Sequence, residues 1–551
     1  EDLKNLVGNI IVAAGFVAYL GPFTTQYRND LMKGWLRHAR IDRIPVSREF
    51  ELETVLGDPV QIREWNIQGL PGDSLSVNNA LIVTYARRWP LIIDPQTQAN
   101  KWIRNMCKEQ KLQVTKFSDP HLMRKLDSAI RYGTPVLMEN IEETVDPSLD
   151  SLLLKSVYKK GSQLQIKLGD ADIPYNMDFK FYLTSKLPNP HYLPETCIKV
   201  TVINFTVTAQ GLEDQLLVDV VRSERPDLEK LKDELIIQIA DDKRQLQDLE
   251  DKILKLIGDA QDILEDEELI NTLAASKATS EAINQRMGEA EKTANEINTA
   301  REQYRPVATR GSILYFVIAD MSLVDPMYQY SLDFFNNLFN LRLKKAEQSK
   351  EVDERIAILI NDLTKSFYRN ICRGLFEKDK LLYSFLTAVK INLKSETISP
   401  QEWNFFLRGS TEDFSGKTFE EDWIEEKVWH RILGLEGVDS LFKGLAGSIS
   451  GSGSKVIWKE IMKADEPWTV DLPSPFNACL SGFQKLMVLK TLREEKAIFM
   501  IKNFIVDELG KNFIESPPFD LAGAFEDSGI TMPLIFILSP GADPINYLIN
   551  L

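Results

Sequence analysis

The sequence predicts an α/β architecture: a parallel sheet with flanking helices, joined to a helical subdomain and carrying an inserted antiparallel coiled-coil hairpin. Three observations support this prediction. Short apolar runs alternate with helical stretches between residues 80 and 215. Glycine and proline nearly vanish after residue 226, and residues 306–445 show helical apolar clusters without strand alternation. At 551 residues the chain is too long for one hydrophobic core, and its length predicts about three or four domains.

Five apolar segments in the first region are the predicted strands. Several are continuous runs of β-branched and aliphatic residues, which is typical of parallel strands that are covered on both faces. The predicted strands are residues 89–94, 112–117, 134–139, 179–184 and 200–205. This region is therefore expected to form the parallel sheet.

Two series of apolar residues at three- and four-residue steps predict the arms of a coiled coil. The predicted core positions are Leu235, Ile239, Leu246, Leu249, Ile253 and Leu256 in the first arm, and Ile283, Met287, Ala290, Ala294 and Ile297 in the second. Residues 258–280 between them are neither proline-rich nor strongly periodic, so an antiparallel hairpin that turns there is simpler than one continuous rod. Each arm would be about 45 Å long at about 1.5 Å per residue.

The rest of the chain is predicted to be helical up to a final strand. The glycine- and serine-rich residues 447–454 are interpreted as a flexible surface loop near a domain boundary. Helices near residues 476–514 lead to an apolar strand at 532–541, where a second α/β domain begins. The sequence ends ten residues later and does not start with methionine, so we interpret it as a piece of a longer protein.

Composition and charge exclude several classes of function. With 44% hydrophobic and 26% charged residues, the chain has the composition of a folded protein. Its formal net charge of −16 predicts no nucleic-acid binding and no direct contact with an acidic surface such as the microtubule lattice. The four cysteines form no Cys-x-x-Cys pair, which predicts a reducing compartment and no zinc site. The most apolar run, residues 9–20, is shorter than the roughly 20 residues of a membrane span, so it is expected to be a buried helix.

The end of the first predicted strand is where a phosphate-binding loop would lie. Such a loop needs glycines whose amides surround the anion, a lysine for the outer phosphates, and a serine or threonine for magnesium. This chain has at that place Asp94, Pro95, Gln96, Thr97 and Gln98. A carboxylate stands where phosphate would bind, and the proline removes an amide donor. We interpret the segment as a structural turn and predict no catalytic residue, cofactor or metal ion there.

Two further positions lead to the same interpretation. The last predicted strand ends in Ser539, Pro540 and Gly541, without a lysine or a Ser/Thr pair in the required place. Glu139 follows a buried strand, as metal-binding and water-activating acids do in many ATPases, but Asn140 after it leaves the acidic pair incomplete. A surface or helix-capping acid is the preferred interpretation of Glu139.

Several longer motifs resemble dynein heavy chains. The segments similar to the fifth AAA+ module of that family are residues 15–23 (GFVAYLGPF), 69–71 (GLP), 88–96 (RWPLIIDPQ), 189–192 (NPHY) and 211–216 (GLEDQL). Residues 327–332 (MYQYSL) and 372–380 (CRGLFEKDK) resemble the helical part of that module, and residues 533–544 (PLIFILSPGADP) resemble the first strand of the sixth. The similarity runs nearly from end to end, and residues 93–96 and 538–541 are most similar to axonemal forms.

The resemblance implies a division of the chain into four parts. They are the large α/β subdomain of the fifth module (1–222), the antiparallel coiled-coil buttress or strut (223–305), the helical small subdomain (306–460) and the beginning of the sixth module (461–551). In this family the buttress leans on the microtubule-binding stalk, which projects from the preceding module. ATP is hydrolysed mainly in the first module, and the fifth and sixth modules have lost their nucleotide sites.

The function implied by the resemblance is a non-hydrolysing part of a ciliary or flagellar motor in the cytoplasmic axoneme. It would relay ATP-driven ring movements through the buttress, with residues 258–280 contacting the stalk. The implied partners are the stalk and neighbouring AAA+ modules of the same heavy chain, dynein intermediate and light chains, and other axonemal proteins. Microtubules would be bound only through the stalk. Neither nucleic acid nor membrane is an expected partner. ATP and magnesium would bind in other modules.

Two alternatives remain open. One is an AAA+ scaffold or chaperone-like protein whose coiled coil grips a client. The other is an active ATPase with an atypical nucleotide loop. Microtubule-dependent behaviour would distinguish the first from a dynein, and nucleotide binding by the isolated chain would identify the second. The sequence does not distinguish outer-arm from inner-arm forms.

Overall fold

The computed structural model describes residues 2–161, 163–169, 171–259, 267–410, 423–515 and 521–526, together with residues 414, 528, 533, 535, 536, 545 and 549. Some side chains within the described helices lie outside this description. The chain divides into two units. One consists of Glu1–Ser312 and Ser349–Ile356, and the other of Ile313–Gln348 and Ala357–Leu551.

The first unit contains both sheets and the long hairpin. Its elements are α1 (Asp2–Tyr19), α2 (Thr25–Ile41), α3 (Leu52–Leu56), α4 (Pro59–Ile67), α5 (Ser74–Tyr85), β1 (Pro90–Ile93), α6 (Gln98–Met106), β2 (Gln113–Lys116), α7 (Leu122–Tyr132), β3 (Val136–Glu139), α8 (Asp150–Leu153), β4 (Val157–Lys160), β5 (Gln163–Leu168), β6 (Ala171–Pro174), β7 (Phe181–Ser185), α9 (Pro194–Cys197), β8 (Thr201–Asn204), α10 (Ala209–Glu224), α11 (Pro226–Asp259) and α12 (Glu267–Glu302).

The main sheet has five parallel strands in the order β2-β3-β7-β1-β8. Each of the five predicted strands is present, within two residues of its predicted ends. β1 lies between β7 and β8, with Leu91 opposite both Leu183 and Val202. The predicted parallel sheet with flanking helices is therefore confirmed, and its interior strand β1 ends at the candidate phosphate position.

Successive residues of the strands enter two separate cores, because side chains alternate between the faces of a sheet. Leu91 and Ile93 pack in one core with Leu126 of α7. Ile92 packs in the other core with Leu81 of α5 and Trp102 of α6. Helices thus cover both faces, which explains why these strands are continuous apolar runs in the sequence.

A second, three-stranded antiparallel sheet lies between β3 and β7 in the sequence and was not predicted. Its order is β4-β5-β6, with Val157 opposite Ile166 and Gln165 opposite Pro174. Ile166 and Ile173 are buried in the same core as α7, whereas β4 and much of β5 are exposed. The strands are short and rich in lysine and glutamine, so they lack the apolar pattern that identified the main sheet.

The apolar segment near the start of the chain forms α1, which is only half-buried. Val12, Ala13 and Phe16 lie in the core, whereas Ile10 and Ile11 are 50% and 55% exposed. The predicted helix is present, but the prediction that it is buried holds for one face only. Across the described part of the chain, no helix is both long and apolar enough to cross a membrane.

The predicted hairpin arms correspond to α11 and α12, of 34 and 36 residues. Two ion pairs join them, Asp242 to Arg286 and Glu229 to Arg301. From Glu229 to Asp242 the chain advances thirteen residues along α11, whereas their partners, Arg301 and Arg286, go back fifteen residues along α12. The arms are therefore antiparallel. At about 1.5 Å per residue each arm is about 50 Å long.

The predicted core positions of the hairpin are partly described. Ile283, Ala290 and Ile297 are buried, and Leu235, Ile239 and Ala294 are half-buried. The remaining predicted core side chains lie outside the described residues; they are Leu246, Leu249, Ile253, Leu256 and Met287. Residues 260–266 of the predicted turn also lie outside them.

The second unit is helical in its described residues. The helices after the hairpin are α13 (Arg305–Met321), α14 (Leu332–Lys345), α15 (Val352–Gly374), α16 (Glu377–Lys394), α17 (Pro400–Arg408), α18 (Glu426–Glu436), α19 (Leu445–Ser450), α20 (Lys455–Lys463), α21 (Phe476–Cys479), α22 (Gly482–Leu492), α23 (Ala497–Leu509) and α24 (Leu521–Glu526). Aromatic rings fill its core, for example Phe335 stacked on Phe367 at 4.7 Å between ring centroids.

Two predictions for the later part of the chain had different outcomes. The glycine- and serine-rich residues 447–454 were interpreted as a flexible loop, but α19 covers the first half of this segment and Ile449 is fully buried. Alanine, leucine and isoleucine interspersed with the small residues provide the buried face of this helix. Most of the final predicted strand, including Ser539, Pro540 and Gly541, lies outside the described residues, and its described residues 533, 535 and 536 are not in a strand.

Candidate functional site at the end of strand β1

The carboxylate of Asp94 caps the helix that follows β1. Its Oδ1 accepts a hydrogen bond from the Gln98 amide and its Oδ2 accepts one from the Asn100 amide, both at 2.9 Å. Thr97, directly before Gln98, has a left-handed backbone conformation with φ of 62°. Free amides at a helix N-terminus are what a phosphate-binding loop offers to its ligand. In this chain, two such amides already donate hydrogen bonds to the carboxylate of Asp94.

Asp94 is almost fully buried, with 1% of its surface exposed. Burial raises its pKa to about 6, against the hydrogen bonds from the amides of α6, which favour the charged form. The carboxylate is mostly ionised at neutral pH and places a negative charge where a phosphate group would carry one. This arrangement does not fit a bound phosphate, because like charges would be adjacent in a buried place.

The neighbouring glutamines connect this turn to other elements of the unit. Gln98 donates to Gln215 of α10, and Gln215 donates to Asp73, each at 2.9 Å. Asp73 in turn caps α5 by accepting from the Ser76 amide at 3.0 Å. The Gln96 side chain accepts from the Val207 amide at 3.4 Å. These contacts tie the segment after β1 to α5, α10 and the loop after β8.

Glu139, at the end of β3, is occupied by side chains of α6. Asn100 donates to Glu139 Oε1 at 2.9 Å, and Arg104 forms an ion pair with the same oxygen. Burial raises the pKa of Glu139, but the hydrogen bonds from Asn100 and Arg104 outweigh it and lower the pKa overall. Glu139 is therefore held in its charged form by hydrogen bonds and an ion pair from one face of α6.

The sequence alone identified Asp94 and Glu139 but not the helix residues that bind them. Asn100 and Arg104 are four residues apart and therefore share one face of α6. Once β1 and β3 are placed in one parallel sheet, a helix starting at the end of β1 would bring that face toward the end of β3. The signal was present in the spacing, but its use required the strand order.

The acidic, histidine and cysteine side chains of the described residues were the candidates for a metal centre. Among them, no three His, Cys, Asp or Glu side chains come together as a metal site. The four cysteines are all unpaired, with Cys107 and Cys372 buried and Cys197 and Cys479 exposed. The geometry of the site is thus that of a tightly capped strand-to-helix turn.

Comparisons with known proteins agree with the resemblance of the motifs. Residues 63–283 match the family described as the ATP-binding dynein motor region. The chain is 45% identical to human dynein axonemal heavy chain 6 over 99% of this chain and 14% of that protein. It is 44% identical to mouse dynein axonemal heavy chain 3, over 98% of this chain and 13% of that protein.

An algal relative gives the same picture. The chain is 42% identical to the dynein-1-beta heavy chain of the flagellar inner arm I1 complex of Chlamydomonas reinhardtii, over 98% of this chain and 12% of that protein. The chain thus spans about an eighth of the length of these relatives. Over nearly its whole length it is homologous to one segment of them, and it belongs to the family of axonemal dynein heavy chains.

Proposed function

We propose that this chain is a non-hydrolysing, force-relaying part of a ciliary or flagellar dynein motor. The observation that carries the first half of the proposal is the turn after β1, where the buried Asp94 carboxylate accepts the amides of Gln98 and Asn100. With these donors engaged and a negative charge in their midst, the module has no place for the phosphates of ATP.

The hairpin supports the second half of the proposal. α11 and α12 form one antiparallel pair about 50 Å long, and in this proposal the pair carries a displacement from its base to its tip. In this proposal the hairpin is the buttress, and residues 258–280 near its turn contact the stalk. Movement of the ring would push one stalk helix and change its register, which provides the two-state element that such a relay needs.

The division into parts follows the same proposal. Residues 1–222 are the large subdomain of the fifth AAA+ module, 223–305 the buttress, 306–460 the helical small subdomain, and 461–551 the start of the sixth module. ATP and magnesium act in other modules of the full heavy chain. The partners are those modules, the stalk, intermediate and light chains and other axonemal proteins, and microtubules are reached only through the stalk. The site of action is the axoneme of a cilium or flagellum.

A second candidate is an ATP-binding module with an atypical loop. It is favoured by the description of the matched family, which includes ATP binding. Against it stand the charge of Asp94 and the engagement of Glu139 by Asn100 and Arg104. A client-gripping scaffold is the third candidate, and the similarity to axonemal dyneins from animals and an alga weighs against it.

Equilibrium binding of a fluorescent ATP analogue, with magnesium, to the 551-residue chain tests the proposal. We expect no saturable binding between micromolar and millimolar concentrations. A useful matched variant is Asp94→Asn, which keeps the shape of the side chain and removes its charge. Saturable binding by the unmodified chain, lost on substitution of Asp94 or Glu139, would show instead that this module responds to nucleotide.

A further inference from the structure

A charged residue takes a core position in the first arm of the hairpin. Along α11 the core positions Leu235, Ile239 and Leu246 fit alternating steps of four and three residues only if residue 242 is included. That residue is Asp242. Its side chain is 5% exposed and forms an ion pair with Arg286 of α12 at 3.0 Å between Oδ1 and Nη2. An acidic side chain is therefore buried where the heptad pattern calls for an apolar one.

The second arm has the same feature with the opposite charge. Along α12 the steps from Ala294 and Ile297 to Tyr304 pass through Arg301. The Arg301 side chain is 9% exposed and forms an ion pair at 3.1 Å with Glu229 of α11, whose side chain is 12% exposed. Each arm therefore carries a buried charged residue at a core position, Asp242 in α11 and Arg301 in α12, and the other arm supplies its partner.

We propose that Asp242 and Arg301 fix the register of the two arms, so that the hairpin is a strut of constant register rather than a pair of helices that slide. The inference deepens the proposed function, in which the hairpin relays movement to the stalk. It assigns to Asp242 and Arg301 a positioning role that the family relationship does not contain. A strut that slid internally would absorb the displacement that it is meant to transmit.

An apolar heptad repeat does not by itself specify the register of the two arms. Leu, Ile and Ala core residues repeat every seven residues, so a slip of seven residues brings equivalent positions together again. The same slip moves Arg286 about 10 Å away from Asp242, at about 1.5 Å per residue. Asp242 and Arg301 would then be buried without their partners, which strongly disfavours the slipped arrangement. Buried polar core residues are known to specify register in this way.

Disulfide trapping measures the register directly in the 551-residue chain. Interpolation between the two ion pairs places Ala290 opposite Ile239. A cysteine pair at 239 and 290 reports the native register, and a pair at 239 and 297 reports a slip of seven residues. The exposed Cys197 and Cys479 are replaced by serine in all variants to avoid other disulfides. Only the first pair should cross-link, because the second is about 10 Å out of register and disulfides need Cα atoms within about 7 Å.

Replacement of both charged core residues by leucine should release the register. With Asp242→Leu and Arg301→Leu, we expect the 239–297 pair to cross-link at a yield comparable to that of the 239–290 pair. The matched control is Asp241→Leu with Lys292→Leu, two exposed hairpin residues of the same charges. This control should retain the native cross-link alone. Circular dichroism verifies that each variant remains helical.

A charge exchange provides a second, independent variant. Arg301→Glu places two acids together and should weaken the native cross-link, whereas Arg301→Glu with Glu229→Arg restores an opposite-charge pair and should recover it. If the leucine variant keeps the native cross-link only, or if the exchange gives no recovery, the register is set elsewhere and the proposal is wrong. The cross-links require neither nucleotide nor microtubules, so the proposed motor function and the register role can fail separately.

Discussion

Asp94 replaces, with a side chain, what a nucleotide supplies in a phosphate-binding loop. A helix N-terminus with unsatisfied amides needs an acceptor, and the carboxylate of Asp94, four residues before the helix begins, satisfies that need without a ligand. The cost is a buried charge, visible as a pKa raised to about 6 by burial. A module capped in this way is complete by itself, which is the property expected of a part that is moved by the ring rather than by its own nucleotide.

The raised pKa of Asp94 gives a pH dependence with a definite sign. Between the unfolded pKa of 3.8 and the folded pKa of about 6, the folded chain binds more protons than the unfolded chain. The contribution of Asp94 to the free energy of unfolding therefore decreases as pH rises through this window, by up to about 3 kcal/mol. Relative to the unmodified chain, Asp94→Asn should gain stability between pH 4 and pH 6.5.

Urea unfolding of both chains at a series of pH values measures this difference. Asp58→Asn is the control, because Asp58 caps α4 through the Val60 amide at an exposed position. Its stability relative to the unmodified chain should change little over the same window. A relative stability of Asp94→Asn that falls with pH would show that the amide hydrogen bonds, and not burial, dominate the titration of Asp94.

Only part of the candidate site could be predicted from the sequence. Asp94 could be placed because it directly follows an apolar strand, and its charge alone argued against phosphate. The partners of Glu139, and the chain of contacts from Gln98 through Gln215 to Asp73, depend on which strands and helices are neighbours. The spacing of polar residues along one helix does not identify their partners in other elements, so these contacts could not be assigned before the strand order was known.

Among the elements, those with a strong apolar period were predicted and those without it were missed. The interior strands β1, β3 and β7 of the main sheet are covered on both faces, which imposes a largely apolar run on them. β4, β5 and β6 have one exposed face and are only four to six residues long, so lysine and glutamine dilute the signal. In α19, small residues hid a helix whose Ile449 is buried.

The junction between α10 and α15 supplies a prediction at this scale. Arg355 donates from Nε and Nη2 to the two carboxylate oxygens of Glu224 at 2.9 and 2.8 Å, and the side chains are 3% and 9% exposed. Removing one member of such a pair leaves the other charge buried, so Arg355→Met should cost about 3 to 5 kcal/mol of stability. Chemical denaturation followed by circular dichroism measures it.

Arg225 is the matched comparison for Arg355, and it directly follows Glu224 in the sequence. Arg225 pairs with Asp227 on the surface, with side chains 46% and 62% exposed, and Arg225→Met should cost less than about 1 kcal/mol. Substitution of both Glu224 and Arg355 by methionine should recover much of the loss, because no charge remains unpaired. Equal costs for Arg355→Met and Arg225→Met would contradict the assigned importance of the buried pair.

For the whole molecule, the proposed relay requires a hairpin of sufficient length as well as of fixed register. In this proposal the tip of the hairpin must reach the stalk. A shortened hairpin of intact register would move without contacting the stalk. Removal of residues 246–252 from α11 and 277–283 from α12 takes one heptad from each arm and shortens the hairpin by about 10 Å. Both ion pairs between the arms remain in the shortened hairpin.

In the full heavy chain that contains this segment, we expect the shortened hairpin to uncouple nucleotide state from microtubule affinity. Coupled sites typically change each other's affinity about 5- to 150-fold, and this ratio should fall toward one while basal ATPase activity is retained, since ATP would be hydrolysed in another module. Co-sedimentation with microtubules, with and without nucleotide, measures the ratio. A full-length hairpin carrying Leu249→Ile and Ile283→Val serves as the control and should couple normally. Normal coupling by the shortened hairpin would mean that force reaches the stalk by another route, and the buttress role proposed for residues 223–305 would have to be abandoned.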